Sequence, residues 1–269
     1  MTSHTPLTSS FPQRRKSSEI YTPRSGQKPE TDPPAGTPQR VVLIDVLRGT
    51  AIVLMIAYHT CFDLNYHGWI QQDFNHAPFW QFARACIVTL FLLLAGISLR
   101  LNAQRASSTS FWHRQGRLLA ACLAVSLGSY LMFPQSYIFF GILHFILLAS
   151  LAGRLFVRFH YLTLIAALLV LAVGIGFSNP LFNAPALQWL GLMTYKPFTE
   201  DYVPFFPWFG VVLAGIFIGR LIFSPPQSDW LIAPLAGMKP LALAGRHSLA
   251  IYLLHQPILL GFFEMVALI

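Results

Sequence analysis

Apolar runs of membrane-crossing length recur along this chain from residue 41 onward, parted by short stretches rich in Arg, Pro or Gly. Nothing else constrains its fold as strongly. Lipid offers backbone N–H and C=O groups no partner, so a chain that crosses repeatedly must satisfy them internally, and runs of this length do so as helices. The pattern predicts an all-α fold, a polytopic membrane helix bundle of about seven transmembrane helices. They are expected near residues 41–58, 80–99, 117–133, 137–153, 161–177, 204–222 and 240–262. Composition agrees: 55% of residues are apolar and 10% charged, against roughly 25% charged in soluble domains.

Residues 1–40 are rich in Ser, Thr and Pro and lack apolar clusters, which predicts a disordered tail ahead of a membrane-embedded region, 41–269. The tail shows no apolar run followed by a small-residue cleavage site, so the first span is expected to direct insertion itself. With the tail in the cytoplasm, fourteen of the eighteen Lys and Arg fall on the inner side, and Lys196 alone falls in an outer loop. That bias predicts a cytoplasmic N-terminus and a multi-pass protein of a cytoplasmic, or inner, membrane. The outer loops, about 60–79 and 178–203, then hold Asp63, His67, Asp73, His76, Glu200 and Asp201. The inner face is mostly arginine, which suits an anionic partner such as a phosphorylated cofactor or lipid headgroups.

The net charge of +8 has no interleaved basic and aromatic patch behind it, so a nucleic-acid partner is not expected. Cys61, Cys86 and Cys122 have no CxxC spacing, and neither a disulfide framework nor a metal site is predicted. No P-loop, GxGxxG or nucleophile elbow occurs, which sets aside ATPases, dinucleotide-dependent dehydrogenases and common hydrolases.

Ionisable groups inside spans carry the functional signal, because a charge at a helix centre costs roughly 2.5–3.5 kcal/mol unless it is paired or lines a cavity. Asp45 and Arg48 sit three apart on one helical face. They form either a local ion pair or a clamp in which Arg48 holds a cofactor phosphate. Gly49 leaves room beside them for another helix or a ligand. Arg246 is expected to line a cavity or to pair with Asp45. His247 and Ser248 follow it at the inner side, and His144 lies in the fourth span; each either packs structurally or helps to bind a donor. His59, eleven residues after Arg48, falls about 16 Å further along the helix. It is either an interfacial histidine bonded to a carbonyl or to Asp63, or a wall of an outward-facing site. His255 lies further out in the last span, before Pro257, and EDYVPFFPWFG places Asp201 and Trp208 where an aromatic belt or a sugar site would form. Asp63, Asp201, Trp208 and His255 are the expected acceptor-side residues.

Polar groups at both faces of one bundle suit either a transporter of a small polar solute or an enzyme joining an inner donor to an outer acceptor. A structural subunit of an envelope complex is a third reading. Acyl transfer fits the residues present: histidine removes the acceptor's proton near neutral pH, and a histidine or arginine steadies the oxyanion.

The segments RVVLIDVLRGTAIVLMIAYH, HAPFW, FFPWFGVVLAGIFIGR and LALAGRHSLAIYLLHQPILL together resemble the membrane catalytic domain of the heparan-alpha-glucosaminide N-acetyltransferase family, in its small bacterial form, over about residues 40–265. The DxxRG opening is also shared with membrane O-acyltransferases of surface polysaccharides. The resemblance implies a multi-span transferase that takes acetyl-CoA, or a related acyl-CoA, from the cytoplasm and acylates an extracytoplasmic sugar amine or hydroxyl. It implies His76 as catalytic histidine, with His59 as the alternative, and Asp45 as the aspartate of the family's DxxRG. Arg48 and Arg246 would organise the donor. Small residues in AGIS and AGIFIG would suit a homodimer.

Overall fold

A computed structural model describes residues 41–105, 107–222 and 237–267; the expected tail, 1–40, lies outside them. Eight α-helices carry the described chain: α1 (Val42–Tyr66), α2 (Pro78–Arg105), α3 (Ser108–Met132), α4 (Ile142–Phe156), α5 (Tyr161–Gly176), α6 (Phe205–Ile222), α7 (Lys239–Arg246) and α8 (Ser248–Ala267). Two short 3₁₀ helices, Pro180–Asn183 and Pro185–Leu190, lie between α5 and α6. Helix starts follow local chemistry. Pro78 opens α2, where a missing N–H costs nothing, and Ser107 caps α3 by accepting from the Ser110 N–H at 3.3 Å.

The chain is a polytopic helical membrane protein. Helices α1, α2, α6 and α8 are long and apolar enough to cross a bilayer, while α4 and α5, with 15 and 16 residues, are shorter apolar helices. The 25-residue α3 is long, but His113, Arg114, Gln115 and Arg117 occupy its first half. Its Leu119, Leu123 and Leu127 form an exposed stripe suited to lipid.

The main core gathers on α6, where Phe209, Val212, Leu213 and Ile216 meet Leu92 and Leu99 of α2, Phe145 and Ala149 of α4 and Ala167 of α5. Glycine makes the α2–α6 approach feasible. A Cβ on Gly96 would run into the Val212 carbonyl, and one on Gly215 into that of Leu93. These glycines belong to the AGIS and AGIFIG stretches expected to serve a dimer, and within one chain they pack on each other's helix.

Several expected boundaries move, α3 for one beginning at Ser108 instead of residue 117, and three of the shifts have a clear physical reason. The last span is two helices, α7 and α8, broken at His247. Its first part lies across α1, where Gly245 meets the Asp45 carbonyl and Gly49 meets the Leu241 backbone, and that contact sets its direction. The fourth span begins at Ile142 instead of residue 137, because side chains hold the preceding segment out of the helix. Ser126 donates to the Ile138 carbonyl at 2.7 Å, Ser129 accepts from the Ile138 N–H at 2.9 Å, and Asp201 caps α4 by accepting from the Ile142 N–H at 2.8 Å. Finally, α1 runs on to Tyr66, so Asp63 stands inside a helix and not in an outer loop.

Candidate functional site

The end of the bundle where α1 begins holds a cavity of about 1670 Å³, well above the roughly 300–1,000 Å³ of an ordinary ligand pocket. Its walls are cationic. Arg48 comes from α1, Arg100 from α2, Arg114 and Arg117 from α3 and Arg154 from α4. Arg158 follows α4, Arg220 comes from α6 and Arg246 from α7. Among the lining residues, Asp45 is the one carboxylate facing these eight guanidinium groups.

Asp45 is buried, and its carboxylate bridges two elements. Arg48 Nη1 donates to Oδ1 at 3.3 Å and Arg246 Nε to Oδ2 at 3.4 Å, so both alternatives for Arg246, cavity wall and ion-pair partner, hold together. Arg48 also donates through Nη2 to Ser98 Oγ of α2 at 2.7 Å, tying the first two helices at the mouth. Arg154 lies over the Phe111 ring, 4.2 Å from its centroid, a cation–π contact that leaves its N–H edge for other acceptors. The Arg100 Nε is buried and has no hydrogen-bond partner among the described residues, so a donor here awaits an acceptor.

Along α8, Ser248, Leu249 and Tyr252 face this cavity. The Tyr252 hydroxyl donates to Asp201 Oδ2 at 3.1 Å, joining the cavity's inner wall to the loop before α6. Burial pushes the Asp201 carboxyl up, against the Ile142 N–H and the Tyr252 hydroxyl, which favour its charged form. His59, His76 and His255 are not among the residues that line the cavity.

Beyond Tyr252, α1 and α8 bring two imidazoles face to edge, His59 and His255, with ring centroids 5.0 Å apart. His255 is buried, and its Nδ1 sits 2.6 Å from the Tyr252 carbonyl. One turn further, the buried Asp63 accepts from Gln256 Nε2 at 3.1 Å, so Asp63 pairs across helices and not with His59. Helix α8 continues through Pro257, whose missing N–H leaves the Leu253 carbonyl without its helical donor.

The other expected residues lie apart. His144 stands in the first turn of α4: its Nδ1 accepts from the Gly141 N–H at 3.3 Å and its Nε2 lies 3.1 Å from Ser126 Oγ. His247 is exposed and is not part of the cavity lining. Trp208 packs, half-buried, against the main core. His76 is on the surface, its side chain 85% exposed, with Nδ1 3.0 Å from Asp73 Oδ2. Sequence reasoning did not single out Tyr252, Gln256 or Ser126. Asp63 was expected in an outer loop, so its burial, and with it the need for a donor such as Gln256, had no signal in the sequence.

Asp73 locks the turn before α2, accepting the Asn75 and His76 N–H groups through Oδ1 at 3.0 and 2.9 Å. The His76 N–H, first among several bonds, holds the Asp73 carboxyl below the usual carboxylate range. A depressed folded value means that the lock is complete above the ordinary carboxylate pKa and is lost as pH falls through the folded one. Hydrogen exchange, corrected for intrinsic rate, should show the Asn75 and His76 amides protected at neutral pH and opening at acid pH. Protection unchanged into strong acid would assign the turn's order to other groups.

Fold and site together define a helical membrane protein with a polycationic chamber at one end and an imidazole pair deeper along the same helices. Residues 40–257 match the family described as heparan-alpha-glucosaminide N-acetyltransferase, catalytic, and the chain belongs to that family. It is thus a membrane enzyme of the acyltransferase type. Neither curated proteins nor solved structures provide a match.

Proposed function

We propose that the protein moves an acetyl or similar acyl group from acyl-CoA at the cytoplasmic face to an amine or hydroxyl of an extracytoplasmic sugar or glycan. The observation that carries this reading is the chamber: eight arginines against one carboxylate in about 1670 Å³. Such a wall suits a ligand with several phosphates, since guanidinium binds phosphate oxygens in bidentate pairs, and the volume accommodates a nucleotide-bearing donor. Family membership supports the same chemistry.

In this reading α1–α6 and α8 make seven crossings of a bacterial inner membrane, with the N-terminus and the arginine end inside, as the distribution of Lys and Arg favours. Arg48 and Arg246 hold phosphate and Asp45 fixes their directions, while Ser248 offers a hydroxyl at the same wall. The thioester points along α8 toward Tyr252. An imidazole beyond it takes the acceptor's proton, and Asp63, Asp201 and Trp208 lie toward the acceptor's side. His76, beside Asp73, and His59 are the imidazoles that the family resemblance puts forward for this role.

The test is thiol release from acetyl-CoA by protein in nanodiscs, offered a panel of amino sugars and glycans. Replacing both Arg114 and Arg117 by Ala should raise the donor KM at least about tenfold, since a charge-assisted bond contributes about 1.5–3 kcal/mol, with the acceptor KM unchanged. No thiol release with any acceptor, or uptake of an intact solute into vesicles instead, overturns the proposal.

A further inference from the structure

We infer that His255 is the base that takes the acceptor's proton, with His59 forming the opposite wall of the reaction point; the inference rests on the transfer reading above. The argument begins with a tautomer. The Tyr252 carbonyl can only accept, so the His255 Nδ1 at 2.6 Å carries the hydrogen, and Nε2 carries the lone pair. That Nε2 is buried and has no hydrogen-bond partner among the described residues. A buried acceptor left empty is uncommon enough in folded proteins to call for an explanation.

Position supplies one. His255 follows Tyr252 by three residues on α8, so the two share a helical face. Tyr252 is part of the chamber wall, and His255, outside that lining, stands about one turn beyond it on α8, so a donor reaching His255 from the arginines would pass Tyr252. His59 of α1 faces His255 across 5.0 Å between ring centroids, and Gln256 holds the Asp63 carboxylate alongside.

The other imidazoles do not share these features. His144 has both ring nitrogens engaged, Nδ1 accepting from Gly141 and Nε2–H directed at Ser126 Oγ, whose own hydrogen goes to the Ile138 carbonyl. His67 and His160 also have a buried nitrogen without a partner. Their rings, however, pack on Trp69 and Phe263 and on Phe217 respectively, and neither meets a second imidazole among the described residues, as His255 meets His59. His76 is open to solvent beside Asp73.

The step balances without any further reactant. The acceptor's nitrogen or oxygen attacks the thioester carbonyl carbon, and its proton passes to His255 Nε2. The tetrahedral intermediate re-forms the carbonyl and expels CoA thiolate. The imidazolium returns the proton from Nε2 to that sulfur, leaving amide or ester, free thiol and neutral His255.

His255→Asn tests this, because its side-chain amide retains a donor for the Tyr252 carbonyl while the Nε2 lone pair is deleted. With acetyl-CoA and the best acceptor of the panel, kcat should fall about 100-fold or more, in the range for loss of a general base. The donor KM and calorimetric CoA affinity should stay within about threefold. Added imidazole should restore part of the rate to H255A. Should H255N lose CoA binding through misfolding, H255Q carries the same comparison. Wild-type protein that releases no thiol overturns the transfer reading and this inference with it. Wild-type turnover matched by H255N or H255Q, or a loss confined to H76N, overturns this inference alone.

Discussion

Replacing Asp45 by alanine should destabilise the fold by about 3 kcal/mol, the lower end of the range for removing one partner of a buried ion pair. The carboxylate is 6% exposed at its side chain, whereas its partners Arg48 and Arg246 are 24% and 42% exposed. Water therefore screens part of what the arginines lose, which places the effect low in that range. The loss is still large, because the one carboxylate among the described lining residues disappears from a wall of eight guanidinium groups. Asp45→Asn keeps the volume and should cost less than Asp45→Ala. Adding Arg246→Ala to Asp45→Ala should recover part of the loss, since it removes a cation left without its partner. Denaturant titration in detergent micelles measures all three; an Asp45→Ala midpoint equal to the wild type would show that the pair contributes nothing.

A leucine at Gly215 should be as damaging. Even a Cβ there meets the Leu93 carbonyl, and carbonyls inside a helix cannot step aside singly, so α2 and α6 must part along their length. Helices in lipid associate through close packing without a solvent-driven term, which makes this spacing decisive. Gly215→Ala should cost about 1–3 kcal/mol, the usual range for overpacking, and Gly215→Leu more. The damage should reach the chamber too, because α2 carries Ser98 and Arg100 while α6 carries Arg220. If the chamber holds the proposed acyl-CoA donor, weaker CoA binding should accompany the lower midpoint of Gly215→Ala. If Gly215→Leu melts like the wild type, the helices are not held at this distance by their glycines.

Much of the site was legible in one dimension because its residues announce themselves by being polar where apolar residues belong. Asp45, Arg48 and Gly49 share a helical face by spacing alone, and all three turned out to serve one junction: the carboxylate bridges Arg48 and Arg246 while Gly49 admits α7. The arginines after α2 and α4 were readable as a topological signal. That six further arginines turn into the same cavity as Arg48 and Arg246 was not, since a hydropathy pattern carries no information about which way helix ends face. His59 and His255 lie almost two hundred residues apart in sequence, and no local pattern joins them.

Order along the chain was enough to establish a helical bundle for a membrane, roughly where its spans run, and which side chains are costly in lipid. Those conclusions follow from local composition, because the transfer of a helix into lipid sums the contributions of its own residues. Packing between helices set the break at His247, the partnership of Asp63 with Gln256, the place of Tyr252 in the chamber wall and the meeting of His59 with His255. Each depends on how closely and at what angle two helices cross. That is set by backbone contacts at Gly49, Gly96, Gly215 and Gly245, between segments distant in the chain.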